Sequence, residues 1–418
     1  MPSIRSLPLE ILRRIFCMCF MRFWKPGERP EGLALSTAVR LSHVCSSWRS
    51  IALSLPEIWT SINVVFGGNT GVPYHNALSV RTQHFLDRSK SMPLFIDFDA
   101  SNVVDFGRAL TIFSSLASHS QRWKFVRFIL PGTETIRLPS LLPELRLIEL
   151  HSSSFTVPSE GLVAPLLRKV YLRQNFNVDT ALRFLDHLVI DSHVELSGCF
   201  GLSTPLTSIT SGIGIVSLSG SMPYQEIFDC LTLPKLRELS LHSKYSEHVS
   251  DFPVRSFRSF LQRSKPVLDI LAIRNFNMTT ADLIAILSMI PSLSRLMITE
   301  PLLLHAHPLR PPLLGDEFLH WMIVSSDSRD VILPHLSHLY LGYQFSYFDS
   351  ATLLDMLASR CRSRCSRRAG PWGRNNRMSC KNLERFVLER GQVPSLSQSA
   401  LDKLASLWDE QQVRVRVL

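Results

Sequence analysis

The chain of 418 residues has no hydrophobic run approaching about eighteen residues, the length at which a segment reads as a membrane span, so none is expected. The apolar stretch after Arg5 is broken by Glu10, Arg13 and Arg14 and has no small-residue cleavage site, which makes it a poor secretory leader. The eight cysteines are irregularly spaced and form no disulfide framework in a chain of this length. Cys17, Cys19 and Cys45 sit inside amphipathic patterns, where a buried thiol behaves as a small apolar residue. These absences point to a reducing compartment, cytoplasmic and/or nuclear.

Catalytic signatures are missing as well. There is no Walker-type phosphate loop, nucleophile elbow or dinucleotide glycine fingerprint, and Gly67-Gly68 is not followed by the lysine and helix that a phosphate loop needs. His305 and His307 alternate like strand ligands without a third ligand nearby. Cys361, Cys365 and Cys380 offer three thiols but no fourth ligand for zinc. Aspartate and glutamate are scattered, with no pair marked for acid–base work. No catalytic residue, metal or cofactor is expected, and the chain reads as a non-enzyme.

Acids are also absent between Met356 and Leu383, where Arg360, Arg362, Arg364, Arg367, Arg368, Arg374, Arg377 and Lys381 cluster. Removing these eight cations from the net charge of +10 leaves +2 for the other residues. The basicity belongs to one segment, read as a solvated insertion at 358–382, and a broad nucleic-acid footprint is not expected.

What is present is a high apolar content, 45% against 19% charged residues, enough for a sizeable core. Near the N-terminus, Leu7, Ile11, Leu12, Ile15, Phe16, Cys19 and Phe20 share one side of a 3.6-residue period, and Glu10, Arg13 and Arg14 the other. Pro8 is tolerated in the first turn of such a helix. After the breakers Pro26, Gly27, Pro30 and Gly32, Ser36 or Thr37 can cap a second helix. Its apolar face reads Leu41, Val44, Cys45, Trp48, Ile51 and Ala52, and Pro56 ends it ahead of Ile58-Trp59. About fifty residues of this kind are marginal alone, so the apolar stripes either pack on the rest of the chain or serve a partner.

The order Leu7-Pro8-Leu9-Glu10-Ile11-Leu12, Ile15-Phe16, Val44-Cys45-Ser46-Ser47-Trp48-Arg49 and Ile58-Trp59 resembles the F-box family, in the form abundant in mushroom-forming fungi. The loop from about Met21 to Leu35 is longer than in compact family members. The resemblance implies docking on the Skp-type adaptor subunit of a cullin–RING ubiquitin ligase. Carried over by position, Leu7, Pro8, Ile11, Leu12, Ile15, Val44, Cys45, Trp48 and Trp59 are the contact candidates.

Downstream, an apolar pattern with spacing one, four, six recurs. It reads Trp123-Val126-Phe128, Leu145-Ile148-Leu150, Leu167-Val170-Leu172, Leu236-Leu239-Leu241, Leu268-Leu271-Ile273, Leu293-Leu296-Ile298, Leu336-Leu339-Leu341 and Leu383-Phe386-Leu388, with weaker copies at Leu185-Leu188-Ile190 and Ile213-Val216-Leu218. The last two positions alternate as in a short strand, and helical segments such as 281–290 and 351–357 lie between copies. The expected fold is α/β: a small helical F-box at 1–62, a linker or N-terminal cap at 63–120, and at 121–418 an irregular leucine-rich-repeat-like solenoid with a curved parallel sheet. The asparagine or cysteine that usually closes the repeat's strand turn is mostly missing, Asn275 and Asn277 being the nearest approach.

Apolar strand positions face the core, so the alternating ones face outward. They are Glu149, His151, Lys169, Tyr171, Arg173, Glu238, His242, Arg274, Arg295, His338, Tyr340 and Arg385, accompanied by Ser240, Met297, Thr299 and Glu389. Their aromatic, arginine and histidine side chains make them a candidate target-binding stripe, with Tyr171 and Tyr340 partly exposed. The expected function is a substrate-recognition adaptor of a ubiquitin ligase. The alternative is a repeat scaffold that binds protein or nucleic acid without ligase function.

Overall fold

The computed structural model describes residues 7–21, 37–67, 72–103, 105–131, 135–151, 155–156, 162–173, 193–197, 208–243, 250–301, 313–324, 332–343, 348–361, 382–390, 402–403, 406 and 414–417. The chain divides into two compact units, Met1–Phe176 with His187–Val189, and Asn177–Asp186 with Ile190–Leu418. Both are mixed α/β.

The first unit opens with helices α1 (Leu9–Met21), α2 (Thr37–Ser42) and α3 (Ser46–Ser54), then a 3-10 turn over Pro56–Trp59. The single second helix expected from periodicity is two helices. The chain breaks at His43–Val44, and Cys45 turns extended (φ −160°, ψ 171°) to start α3, its Sγ accepting from the Trp48 N–H at 3.5 Å. The Cys45 thiol therefore acts as a helix cap rather than as core filler. Five strands follow in parallel and in chain order: β1 (Ser61–Val65), β2 (Leu94–Asp99), β3 (Trp123–Ile129), β5 (Leu147–His151) and β7 (Lys169–Arg173). A separate two-residue pair joins β4 (Ile136–Arg137) to β6 (Phe155–Thr156).

The parallel ladder thus begins at Ser61, two residues before the stretch at 63–120 expected to be a linker or cap, and β2 lies inside that stretch. Helices α4 (Val72–Arg88) and α5 (Phe106–Ala117) connect its first three strands. On α4, Tyr74 Oη and Arg81 donate hydrogen bonds to the carbonyls of Val65 and Asn63, covering backbone groups of the edge strand β1.

In the second unit eight strands again run parallel in chain order: β8 (His193–Ser197), β10 (Ile215–Ser219), β12 (Glu238–His242), β13 (Ile270–Arg274), β14 (Arg295–Thr299), β15 (His338–Tyr343), β16 (Arg385–Arg390) and β17 (Arg414–Val417). The short pair β9 (Ile209–Thr210) and β11 (Leu231–Thr232) stands apart. Helices over Tyr224–Cys230, Val254–Ser264, Thr280–Leu287, Asp316–Met322 and Ser350–Cys361 fill the intervals. The strand at 193–197 follows the weak copy proposed at 185–190, which lies outside the described residues.

The strands form where they do because each apolar triplet is almost wholly buried. Leu236, Leu239 and Leu241, and their counterparts Leu293, Leu296 and Ile298, are at most 2% exposed. Each such side chain contributes about 1.5–3 kcal/mol on burial. A second device fixes the register. The carbonyl just before one strand accepts two backbone N–H groups from the start of the next: Gly214 from Arg237 and Glu238, Arg237 from Asp269 and Ile270, Asp269 from Ser294 and Arg295, Ser294 from Ser337 and His338, and Ser337 from Glu384 and Arg385. The Ser294 and Ser337 hydroxyls add a third donor to the carbonyls of Asp269 and Ser294.

Candidate functional site

Two surfaces can carry function: the N-terminal helices and the strand faces. In the helical part Leu12, Phe16, Ala38, Ile51, Ala52, Ile58 and Trp59 face inward. Phe16 meets Trp48 edge-on with ring centroids 4.9 Å apart. The Trp59 indole N–H donates to the Ala52 carbonyl at 2.8 Å, its ring packs edge-on against Phe85, and the Arg88 guanidinium lies 4.5 Å above it.

The contact candidates therefore divide. Leu12 and Trp59 (1% exposed) are structural, because their apolar surface is consumed within the unit. Leu7, Pro8, Ile11 (45%) and Val44 (59%) are exposed, and Ile15, Cys45 and Trp48 are half-buried. Ile11, Ile15 and Met18 recur at i, i+4, i+7, so α1 presents a second apolar stripe beside the one it buries through Leu12 and Phe16. Met18, exposed, belongs to this stripe and was not marked from the sequence; Leu9, also exposed, lies on the opposite side of α1.

On the strand face of the first unit the register places Asn63, Asp97, Arg127, Glu149 and Tyr171 in one row, with Asp99, Ile129, His151 and Arg173 in the next. Arg127 binds both oxygens of Asp97, at 2.9 and 3.1 Å, and both side chains are buried. Burial pushes the Asp97 carboxyl above its ordinary value against the opposing pull of Arg127. Glu149, expected on the exposed stripe, is only 4% exposed. Its carboxylate contacts His151 Nε2 at 2.8 Å and Arg173 at 3.3 Å. Burial alone would raise the Glu149 carboxyl. The His151 hydrogen bond and the charges of His151, Arg173 and Arg127 outweigh it and hold the group below its ordinary value. Lys169 is exposed, while Tyr171, His151 and Arg173 are half-buried. Sequence reading missed Phe95 and Phe125, stacked at 5.1 Å and half-exposed on this face, with Lys124 above both rings. The alternation of Leu94, Ile96 and Phe98 was the signal that placed Phe95 outward.

In the second unit Glu238, Arg295, His338 and Arg385 share the first row, Ser240, Met297 and Tyr340 the second, and His242, Arg274, Thr299 and Glu389 the third. Arg295 and Arg385 are exposed; Glu238, His242, Arg274, His338 and Tyr340 are half-buried. The Arg274 guanidinium rests on Met297 Sδ. Asn275, at φ 59°, donates to the Ser243 carbonyl and meets His242 Nε2 at 3.2 Å, closing the turn after β13. Burial, with Arg274 nearby, pulls the His242 imidazole below its ordinary value.

Arg360, counted with the solvated basic segment, is 1% exposed. Its guanidinium donates to the carbonyls of Met322 (2.8 Å), Ile332 (3.0 Å) and Leu333 (3.5 Å). Residues 362–381 lie outside the described residues, as do His305, His307, Cys365 and Cys380. Burial pushes the Cys361 thiol up to about 11, so it is protonated at neutral pH and a poor ligand. Among the described residues no cluster of three or more potential metal ligands occurs, and no helix is long and apolar enough to cross a membrane.

Residues 4–64 match the F-box-like family model, which supports an F-box protein and, in general terms, a role as a ubiquitin-ligase adaptor. The match spans α1 to α3, the turn carrying Trp59 and most of β1. No curated protein matches the chain.

Proposed function

We propose that the chain is a substrate-recognition adaptor of a cullin–RING ubiquitin ligase. Its N-terminal helices bind the Skp-type subunit, and its parallel-strand array, of leucine-rich-repeat-like type, holds a target protein. The observation that carries this reading is the F-box-like match over residues 4–64, coinciding with exposed Ile11 on α1, Leu7 just before it and Val44 at the break between α2 and α3. Apolar side chains of this size standing in water are a docking surface, because a partner that covers them recovers their burial energy. Trp48, half-buried against Phe16, supplies an aromatic anchor beside them. The strict chain order of the strands, with outward side chains in register rows, supports the repeat reading of the target-binding half.

Calorimetric titration of the purified chain with a Skp-type adaptor tests the adaptor half. Ile11→Asp with Val44→Asp, at exposed positions, should abolish binding while the unfolding temperature holds. Unchanged affinity in that variant would refute this placement of the interface. For the target half, Tyr171→Ala with Arg173→Ala should weaken target capture and leave adaptor binding intact.

A further inference from the structure

The first outward row of the second unit carries Arg295, His338 and Arg385 on three consecutive strands, each paired directly with the next, with Glu238 in the same row two strands before Arg295. Adjacent strands lie about 4.8 Å apart, so the two arginines are rooted about 10 Å apart, one on either side of His338. The fold gives them no freedom to slide away. Arg295, His338 and Arg385 are the strand-opening residues whose N–H groups are bound by the carbonyls of Asp269, Ser294 and Ser337. His338 is further fixed by its Nδ1 contact with Ser337 Oγ at 2.9 Å. Among the described residues the Arg295 and Arg385 side chains form no ion pair or hydrogen bond, and both are exposed. Burial, with Arg295 and Arg385 on either side and only Glu384 opposing them, depresses protonation of His338. The adjoining row on the same face holds Met297 and Tyr340, both half-exposed.

Two fixed arginines without ion-pair partners among the described residues, flanking an imidazole and lying beside an apolar and aromatic line, have one complementary occupant: a chain segment carrying carboxylates next to a large apolar side chain. We infer that the strand face over Arg295, His338 and Arg385 is the recognition surface for an acidic, extended segment of the target protein, with its apolar side chain against Met297 and Tyr340. This rests on the adaptor reading for the word target, but not for the binding chemistry. Protein is favoured over nucleic acid because the cationic row is narrow, Glu389 lies two positions further along the same face, and the apolar row has no role in phosphate binding.

The test uses the full chain, alone and with the Skp-type adaptor, and three fluorescein-labelled probes read by anisotropy. These are an Asp/Glu peptide with a central phenylalanine, its Lys counterpart, and a short oligouridine RNA. The acidic peptide should bind, more weakly as salt is raised, and Arg295→Glu with Arg385→Glu should cut its affinity by about tenfold or more. Tyr340→Ala should weaken it by a smaller, salt-independent factor. Equal binding of the Lys peptide, no binding of the acidic one, tighter binding of the RNA, or an unaffected charge-reversal variant would each overturn the inference. Adaptor affinity and unfolding temperature are measured on the same samples. Loss of adaptor binding in the wild type would count against the ligase reading alone, whereas loss of both peptide and adaptor binding only in the variant, with a fallen unfolding temperature, would place the arginines in folding and overturn the inference.

Discussion

Arg127→Met removes the only guanidinium that contacts Asp97 among the described residues, while leaving the carboxylate on a face where it is 6% exposed. Asp99 and Glu149 already press on that carboxyl, and among the described residues Arg127 is the one cation that opposes them. Breaking a buried pair from one side costs about 3–5 kcal/mol, whereas replacing both partners with apolar groups is often close to neutral. Asp97→Leu with Arg127→Met should therefore recover half or more of the loss, falling short of full recovery because Glu149 also feels Arg127.

The pH dependence has a definite sign. A folded-state carboxyl pKa raised above the ordinary value means that the folded chain takes up the proton first. Without Arg127 the Asp97 pKa rises further, so the penalty is full at neutral pH. It shrinks as pH falls through that raised value towards the ordinary one of 3.8. Glu149, held low, behaves oppositely: its contribution is present above 4.5 and lost as pH falls through its folded value. Urea unfolding at neutral and mildly acidic pH, with hydrogen exchange followed on Trp123–Ile129, separates the two. A loss under about 1 kcal/mol, or a double variant no better than the single one, would refute the reasoning.

Other expectations follow from single positions. A Cβ added at Gly342 would meet Thr299 Cγ2 at 2.8 Å, so Gly342→Ala should cost about 1–3 kcal/mol and Thr299→Ala should restore most of it; equal stability of the two Gly342→Ala backgrounds in thermal unfolding would contradict this. Arg360→Met strands the carbonyls of Met322, Ile332 and Leu333 and should cost about 3 kcal/mol or more, with Arg360→Lys a partial rescue because an ammonium lacks the planar fork; a midpoint shift near zero in urea would place Arg360 in solvent instead. Cys45→Ser should hold or raise the unfolding temperature, while Cys45→Val should lose about 1 kcal/mol with the cap to the Trp48 N–H; equal behaviour would show that the cap contributes nothing.

The strand triplets were legible because alternation of leucines over three positions leaves one way to bury them, and the outward rows followed from the same alternation. The helix break at His43–Val44 was not legible, since Leu41, Val44, Cys45 and Trp48 keep a helical period straight across it. Trp59 was marked as important from sequence, but only its hydrogen bond to Ala52 and its packing on Phe85 reveal that its importance is internal. The Asp97–Arg127 pair joins residues thirty apart through strand pairing, and no local pattern announces it. Arg360 lay within reach: Leu353, Met356, Leu357 and Arg360 fall at i, i+3, i+4 and i+7 on the buried face of one helix. The neighbouring run of arginines made a solvated reading more natural than a buried guanidinium serving carbonyls.

On the proposed function, α1 and the residues around Val44 form the face that meets a Skp-type adaptor. Hydroxyl-radical footprinting of the chain, free and saturated with the adaptor, measures that face residue by residue. Leu7, Ile11, Met18 and Val44 should be protected, with Tyr171, Tyr340, Arg295 and Arg385 as reactive in the complex as in the free chain. A tight complex that leaves Ile11 and Val44 unprotected, or that protects the strand faces instead, would contradict it.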